Sequence, residues 1–241
     1  MDESEWDRTQ PKQLLKAILS YPSERVPKEV LLDYLWPEEE LDAADANFRT
    51  TLRRLRKSLE PTTDKDFGSS YIHFYDDFVI LDQELCQVDA DLFLGLFRKG
   101  DERERGGDVT AALSLFNEAL ELYQGDFLTE EVYAPWAGTK RNAIREKYIE
   151  LLSRMGNLYE NQGALKKAIL CHRRAIQADP ILEDSYQKLM TLYYNRGKLN
   201  EALRVYEDCK RALENELKTK PDPVTHALYG KILEKIRQAY P

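Results

Sequence analysis

A repeat of about 34 residues in the C-terminal half constrains the fold more than any other feature of this sequence. The segment YENQGALKKAI at 159–169 matches YYNRGKLNEAL at 193–203, and a weaker copy, ERGGDVTAALSLFNEAL, occupies 104–120. Periods of this length are typical of stacked supersecondary units. The aligned pairs are Met155 and Leu189, Tyr159 and Tyr193, Gly163 and Gly197, and Ala168 and Ala202.

Each unit of this repeat predicts a helix, a tight turn and a second, antiparallel helix. Gly163 and Gly197 lie where the turn needs a positive φ, and Ala168 and Ala202 are small because two helix backbones approach closely there. The pattern resembles the tetratricopeptide repeat, strongly over 144–215 and more weakly over 89–123. That resemblance implies a right-handed superhelix with a concave groove.

The end of the chain fits a capping role. Pro221 and Pro223 interrupt the repeat, and the segment from about Val224 to Tyr240 has apolar residues at helical spacing. We expect this helix to cover the last repeat. Before the first repeat, residues 83–90 are interpreted as a linker.

The N-terminal part predicts three helices followed by a hairpin. The first helix covers Pro11 to Leu19, and the second has Pro27 in its first turn. A third runs from Asp42, a good N-cap, to Leu59. Aromatic and β-branched residues from Ser69 to Leu81 surround Asp76-Asp77 and indicate two strands. This order is typical of a winged helix-turn-helix.

The third predicted helix is basic within an acidic protein. The net charge of the chain is -8, which taken alone counts against nucleic acid as a partner. From Asp42 to Leu59, however, there are five basic and two acidic residues. Its apolar stripe is Ala44, Phe48, Leu52, Leu55 and Leu59, and most of the basic residues lie opposite that stripe or on its flanks. Such a local reversal is expected of a helix that faces DNA.

The stretches LLKAIL, VPKEVLLDYLWP and NFRTTLRRLRKSLEP resemble the OmpR/PhoB-type winged helix. Together with VDADLFLGLF, YQGDFL and the repeats, they resemble the bacterial transcriptional activator domain of SARP-type regulators and of the larger multidomain regulators that share it. The resemblance implies a mainly α fold, with a winged helix at 1–88 and a tetratricopeptide-like activator domain at 89–241. It makes residues 42–59 the recognition helix. The implied DNA-binding residues are Asn47, Thr50, Thr51, Arg53, Arg54, Arg56 and Lys57.

Two departures from the resembled family bear on the DNA interface. Only about ten residues precede the first helix, so we expect that the chain either is a fragment or has lost the small N-terminal sheet of such domains. The predicted wing carries Asp76 and Asp77 where the family has a basic residue. Because two carboxylates repel phosphate, insertion of this wing into the minor groove is not expected.

No catalytic, metal-binding or cofactor-binding motif accompanies these patterns. The three histidines share no ligand spacing, and Cys86, Cys171 and Cys209 are interpreted as buried free thiols. Gly106-Gly107 lacks a following GK[ST] and is interpreted as a repeat turn. We therefore expect a non-enzymatic, cofactor-free cytoplasmic protein with no membrane segment.

Two functions remain open from the sequence. One is a transcriptional activator that binds double-stranded promoter DNA and contacts RNA polymerase or another protein or domain through the repeats. The other is a protein-interaction module whose winged helix no longer binds DNA. A homodimer is left open. The expected protein-binding groove is polar and acidic, suits a basic or amphipathic segment, and includes Asn157, Asn161, Gln187, Thr191, Tyr194 and Asn195.

Overall fold

The computed structural model describes residues 10–61 and 71–239 of the chain. The chain forms two compact units, each discontinuous in sequence. The N-terminal unit contains residues 1–93 and 122–144, and the repeat unit contains residues 94–121 and 145–241.

A winged helix forms most of the N-terminal unit. Its elements are α1 (Gln10–Ser20), β1 (Arg25–Pro27), α2 (Lys28–Leu35), α3 (Leu41–Leu59), β2 (Ile72–Tyr75) and β3 (Phe78–Leu81). The strands form an antiparallel sheet in the order β1-β3-β2. The predicted order of three helices and a hairpin is confirmed. Side chains from all three helices and all three strands form one core, with Leu14, Val26, Leu31, Phe48, Leu55, Ile72 and Val79 fully buried.

The tip of the hairpin is a two-residue turn. Asp76 and Asp77 both have positive φ, 49° and 60°, as a type I′ turn requires. The backbone N–H of Lys28 donates to the Asp77 carbonyl oxygen at 2.8 Å and joins the turn to the start of α2. Ser69 and Ser70, which belonged to the predicted hairpin, lie outside the described residues, as do residues 1–9, where the N-terminal sheet was expected to be missing.

Three local expectations were wrong. The strand β1 was not predicted, and Pro27 ends it and precedes α2 instead of lying inside the helix. Helix α3 begins at Leu41, with Glu40 as an N-cap that makes no side-chain hydrogen bond. Asp42 therefore lies in the first turn of α3, where its negative charge interacts favourably with the positive end of the helix dipole.

Residues 122–144 complete the N-terminal unit with a loop and the first turns of α6 (Pro135–Asn161). The Lys16 ammonium of α1 is buried and lies 2.6 Å from Glu131 Oε1 and 3.1 Å from Glu130 Oε1. The Trp136 ring stacks on Tyr34 with 6.2 Å between ring centroids. Residues 130–136 are thus bound to the winged helix by ion pairs with the buried Lys16 ammonium and by aromatic packing.

Helical hairpins build the repeat unit. Its helices include α4 (Asp89–Arg105), α5 (Val109–Leu122), α6, α7 (Leu165–Ala178), α8 (Glu183–Asn195) and α9 (Leu199–Leu217), of which α4 and α6 also enter the N-terminal unit. The turn glycines have positive φ, 72° at Gly163 and 70° at Gly197. Ala168 and Ala202 are fully buried. The tetratricopeptide-like prediction is confirmed.

The last helix, α10 (Pro223–Ala239), packs on α8 and α9. Ile232 is fully buried, and Leu228 and Ile236 contribute to the same cluster. Tyr229 stacks on Tyr206 of α9 with 4.1 Å between ring centroids. The predicted cap is therefore confirmed. No helix among the described residues is both long and apolar enough to cross a membrane.

Candidate nucleic-acid interface

Helix α3 has one buried and one exposed face. Ala44, Phe48, Leu52 and Leu55 are buried in the winged-helix core. The opposite face is polar and basic because the side chains repeat with the helical period. Its exposed members are Asn47, Thr50, Arg53, Arg54 and Lys57, all of them predicted DNA-binding residues.

Thr51 does not belong to this exposed face. Thr51 is 5% exposed and lies among the apolar residues of α3, so the prediction that it contacts DNA was wrong. The spacing already indicated this, because Thr51 follows Phe48 by three positions and precedes Leu55 by four.

Arg56 lies at the edge of α3 and contacts the sheet. Its Nε donates a hydrogen bond of 3.0 Å to the carbonyl oxygen of Ile72 in β2. Partial burial lowers the pKa of the Arg56 guanidinium. Arg56 thus links the helix to the wing, and its predicted contact with DNA stays a prediction.

An acidic segment precedes α3. Glu38, Glu39 and Glu40 are exposed, and Glu39 Oε2 accepts a hydrogen bond of 2.6 Å from the Asn47 side-chain amide. One candidate base-reading group is thus already bound within the protein. DNA would have to displace Glu39 to reach Asn47.

Lys28 joins α3 to the wing. Its Nζ lies 2.9 Å from Asp45 Oδ1 and 3.0 Å from Asp77 Oδ1. The hydrogen bond to Asp45 raises the pKa of Lys28, and the same bond holds the pKa of Asp45 below its usual range. Because Lys28 is shared between the two carboxylates, it only partly offsets the charge of Asp77 at the wing tip.

Arg25 is a basic residue near the wing that the sequence reasoning missed. It is exposed on β1, and its guanidinium carbon lies 4.5 Å from the centroid of the Phe78 ring. Such a cation–π contact orients the charge without neutralising it. Helical periodicity could not have indicated Arg25, because this residue lies in a strand. That strand has three residues and is defined only by its pairing with β3.

The predicted groove residues have different surroundings from those expected. Asn161 and Asn195 are exposed at the ends of their helices, and Asn157 is half-buried. Gln187 faces α10, because its amide donates to Thr225 Oγ1 at 2.9 Å, and the Lys235 ammonium lies 4.1 Å from the centroid of the Tyr194 ring. Thr191 donates to the Gln187 carbonyl oxygen.

A groove between α8 and α10 has a volume of about 450 Å³. It contains Gln187 and Thr191 from the predicted set. The remaining lining residues come from α10 and are mainly apolar, with one cation and no carboxylate: Pro223, Val224, Ala227, Leu228 and Lys231. This groove differs from the acidic one that we expected.

Burial in the packed helices also sets the pKa values of two cysteine thiols and of one histidine. Cys171 and Cys209 are buried free thiols as predicted, and burial raises their pKa values to about 11 and about 12, but Cys86 is only partly buried. His172 is 1% exposed, and burial lowers its pKa to about 4. Within residues 10–61 and 71–239, no group of three or more His, Cys, Asp or Glu side chains is placed to hold a metal ion.

Comparison with known proteins identifies the family of this chain. The family described as the bacterial transcriptional activator domain matches residues 88–233. The chain belongs to this family. The predicted resemblance to SARP-type regulators is thereby confirmed.

Relatives of this activator-domain chain include two Streptomyces regulators. Regulatory protein AfsR of Streptomyces coelicolor is 30% identical over 227 residues, which are 93% of this chain and 22% of AfsR. Regulatory protein DnrI of Streptomyces peucetius is 22% identical over 234 residues, which are 92% of this chain and 83% of DnrI. The chain thus spans only about a fifth of AfsR.

A solved structure shares the fold of this family member. Mycobacterium tuberculosis EmbR, solved in complex with a low-affinity phosphopeptide, matches with a TM-score of 0.73 and 21% sequence identity. The match covers 94% of this chain and 60% of the EmbR chain. At this identity the likeness shows the fold alone.

Proposed function

We propose that this chain is a DNA-binding transcriptional regulator that activates promoters through α3 and contacts other proteins through its repeats. The observation that carries the proposal is the exposed basic face of α3. Arg53, Arg54 and Lys57 are exposed, and none of them forms an ion pair with another described residue. Unpaired cations on a helix of a winged domain are suited to a phosphate backbone.

The positions on α3 suggest a division of roles. Asn47, Thr50 and Arg54 follow one another at intervals of three and four residues and form one stripe, which we assign to base edges in the major groove. Arg53 and Lys57 form a neighbouring stripe, which we assign to phosphates. Arg25 on β1 is a further candidate phosphate contact beside the wing.

The repeats are proposed to recruit RNA polymerase or to receive a signal from another protein or domain. Membership of the activator-domain family supports this role, as do the helical hairpins, which present long surfaces for protein contacts. We keep residues 1–88 as the proposed DNA-binding domain and 89–241 as the proposed activator domain. A promoter as target implies a location in the bacterial cytoplasm.

A second candidate function is a protein-interaction module without DNA affinity. The acidic segment before α3 favours it, because Glu39 occupies the Asn47 amide and its sequence neighbours Glu38 and Glu40 are exposed carboxylates. In that case α3 would serve as a protein contact.

Fluorescence anisotropy with the promoter duplex upstream of the protein's own gene tests both proposals. We expect Arg54→Ala to lose about 1 to 3 kcal/mol on the specific site and to relax discrimination against a scrambled duplex. Lys57→Ala should weaken both duplexes alike and reduce the salt slope by roughly 0.9. Arg196→Ala, an exposed arginine of the repeat unit, is the control. Absence of salt-sensitive binding even near about 50 mM salt would support the interaction module.

A further inference from the structure

We propose that the outward face of α7 binds an acidic amphipathic segment of a partner protein, through the lysines and arginines that surround the exposed Leu170. The inference rests on the proposed protein-binding role of the repeats and names the surface and the chemistry of its partner. It does not require DNA, so the two proposals fail in different experiments.

Helix α7 carries charge of one sign only. It contains four Lys or Arg residues and no Asp or Glu, in a chain whose net charge is -8. Its buried side consists of Ala168, Cys171, His172 and Ala175. The helical period places the other polar residues and one leucine on the opposite side and its flanks, and these are exposed: Lys166, Lys167, Leu170, Arg173, Arg174 and Gln177. A helix face that only serves solubility usually mixes both signs, as α9 does.

The repeat does not need these cations in order to fold. A shift of 34 residues aligns α7 with α9 and matches three of the cations with carboxylates: Lys167 with Glu201, Arg173 with Glu207, and Arg174 with Asp208. Helix α5, which has the same place in the weaker repeat, contains no Lys or Arg. Because either sign of charge is compatible with the packing, the packing does not select the basic face of α7.

Two of the cations are unfavourable for the helix itself. Lys166 and Lys167 lie in the first turn of α7, at the positive end of the helix dipole, where acidic residues stabilise and basic ones do not. Helices α8 and α9 have acidic residues in that turn. Exposed residues that oppose a local folding rule are expected at functional surfaces.

The cations of α7 are not neutralised within the chain. Among residues 10–61 and 71–239, none of the four forms an ion pair. Arg173 donates a hydrogen bond of 2.8 Å to the Tyr193 hydroxyl, and Lys167 Nζ lies 5.1 Å from the centroid of the Tyr159 ring. Contacts of this kind orient a cation and leave its charge available to a partner.

Two carboxylates near α7 are engaged elsewhere. Glu160, which is close enough to His172 to affect its pKa, lies 3.6 Å from Lys188 Nζ. Asp179, the C-cap residue of α7, accepts a hydrogen bond of 3.1 Å from the backbone N–H of Ile181. A partner that supplies its own carboxylates therefore meets free cations.

Leu170 indicates which kind of acidic partner fits. It is 51% exposed, and it lies one helical turn from both Lys166 and Arg173. A phosphate backbone has no apolar group to cover a leucine, whereas an amphipathic helix presents apolar and acidic side chains together. Covering Leu170 also removes water from the surrounding ion pairs and strengthens them. The face therefore fits an acidic protein segment better than DNA.

Fluorescence anisotropy of the full chain without DNA tests the contact. The probe is a labelled synthetic helix with a stripe of leucine and glutamate at its other positions, and the matched control probe has lysine in place of glutamate. We expect the wild type to bind the glutamate peptide and not the lysine peptide. The affinity should fall as the salt concentration rises.

Replacing Lys166→Glu and Lys167→Glu together should weaken binding of the glutamate peptide by about tenfold or more. The same substitutions place favourable charges in the first turn of α7, so the melting temperature should stay the same or rise. That combination separates the loss of binding from a loss of folding. The control is Arg204→Glu with Lys210→Glu, which makes the same change of charge at exposed positions of α9 and should bind as the wild type does.

A cycle at Leu170 tests the apolar contact. Leu170→Ala should weaken binding of the leucine–glutamate peptide by about fivefold and should not affect a glutamate peptide in which alanine replaces leucine. Undiminished peptide binding by the variant with both lysines replaced, or equal binding of the two glutamate peptides by the wild type, would overturn the proposal.

Two further measurements identify other occupants of the face. Self-association in sedimentation velocity that is lost when Lys166 and Lys167 are replaced would assign the face to a second copy. Loss of promoter affinity in the same variant would assign it to DNA. Either result would overturn the proposal, whereas peptide binding by a chain that binds no promoter DNA would support it and contradict only the DNA-binding proposal.

Discussion

Arg56 of α3 and Ile72 of β2 are joined by a hydrogen bond of 3.0 Å from the guanidinium Nε to the backbone carbonyl oxygen. The bond connects the proposed recognition helix to the first strand of the wing. A basic residue of this helix therefore contacts the protein's own sheet, whereas its proposed DNA-binding neighbours Arg53 and Arg54 are exposed.

Replacing Arg56 by Ala should reduce stability more than DNA affinity. Loss of a hydrogen bond from a charged donor to a part-buried carbonyl is expected to cost about 1 to 3 kcal/mol, measured by urea unfolding. Arg53→Ala on the exposed face should change the unfolding free energy by no more than about 0.5 kcal/mol. Equal stability of the two variants, with DNA binding lost in Arg56→Ala, would instead assign Arg56 to the DNA interface.

The Lys28–Asp45 ion pair should make stability depend on acid. The pKa of Asp45 is lowered in the folded state, so the pair stabilises fully above the ordinary carboxyl pKa of 3.8. That stabilisation is lost as the pH falls through the lower folded pKa, because protonation removes the charge. Asp45→Asn should therefore be less stable than wild type near neutral pH, and the difference should shrink below about pH 4.

Urea unfolding at several pH values checks this expectation. Asp33→Asn removes an exposed carboxylate on α2 and serves as the matched control, with a small difference at every pH. A difference between wild type and Asp45→Asn that stays constant down to about pH 3 would show that the ion pair does not stabilise the fold.

Gly156 should not tolerate a methyl group. A Cβ at this position would lie 2.6 Å from His172 Nε2, and His172 is buried with little room to move. We expect Gly156→Ala to destabilise by about 1 to 3 kcal/mol in spite of the better helix propensity of Ala.

Two variants control this prediction. Gly138 lies in the same helix, and a Cβ added there would meet no neighbouring atom within 4 Å, so Gly138→Ala should stabilise by up to about 1 kcal/mol. In a background of His172→Ala, the cost of Gly156→Ala should largely disappear, because the two sites are coupled. Additive effects in thermal unfolding would contradict the close packing.

His172 should make the repeat unit sensitive to acid. Burial lowers its pKa to about 4, whereas an exposed histidine titrates near 6.5, so the unfolded chain binds a proton that the folded chain excludes. The nearby Lys188 lowers the same pKa, and Glu160 partly opposes it. The stabilisation that neutral His172 allows should therefore be present above pH 6.5 and fall by about 3 kcal/mol as the pH drops towards 4.

The variant His172→Leu should remove this pH dependence. Unfolding free energies of wild type and variant should converge or cross between about pH 6.5 and pH 4, the window set by the two pKa values. Parallel curves over that window would show that folding does not lower the pKa of His172.

Much of the fold was predictable because its signals are local and periodic. The glycine turns at Gly163 and Gly197 and the stripe of α3 repeat within a few residues, so spacing alone indicated them. The strand β1 was missed because a segment of three residues is too short to show an alternating apolar pattern. Only its pairing with β3 makes it a strand.

Less of the candidate site was predictable. The bond from Arg56 to Ile72 and the pairing of Lys28 with Asp77 join residues that are distant in sequence. The loop at Glu131 likewise depends on Lys16, which precedes it by more than one hundred residues. Thr51 is different, since its spacing from Phe48 and Leu55 should have excluded it from the DNA face.

The left-handed backbone at Asp76 and Asp77 restricts how this wing could be engineered. Lysine or arginine at the tip would attract phosphate, but most L-residues lose about 1 to 2 kcal/mol in that conformation. Asparagine and glycine fit the turn and supply no positive charge. A redesign for tighter DNA binding should therefore place its cations on the strands beside the turn, at Tyr75 or around Arg25, where the backbone accepts any side chain.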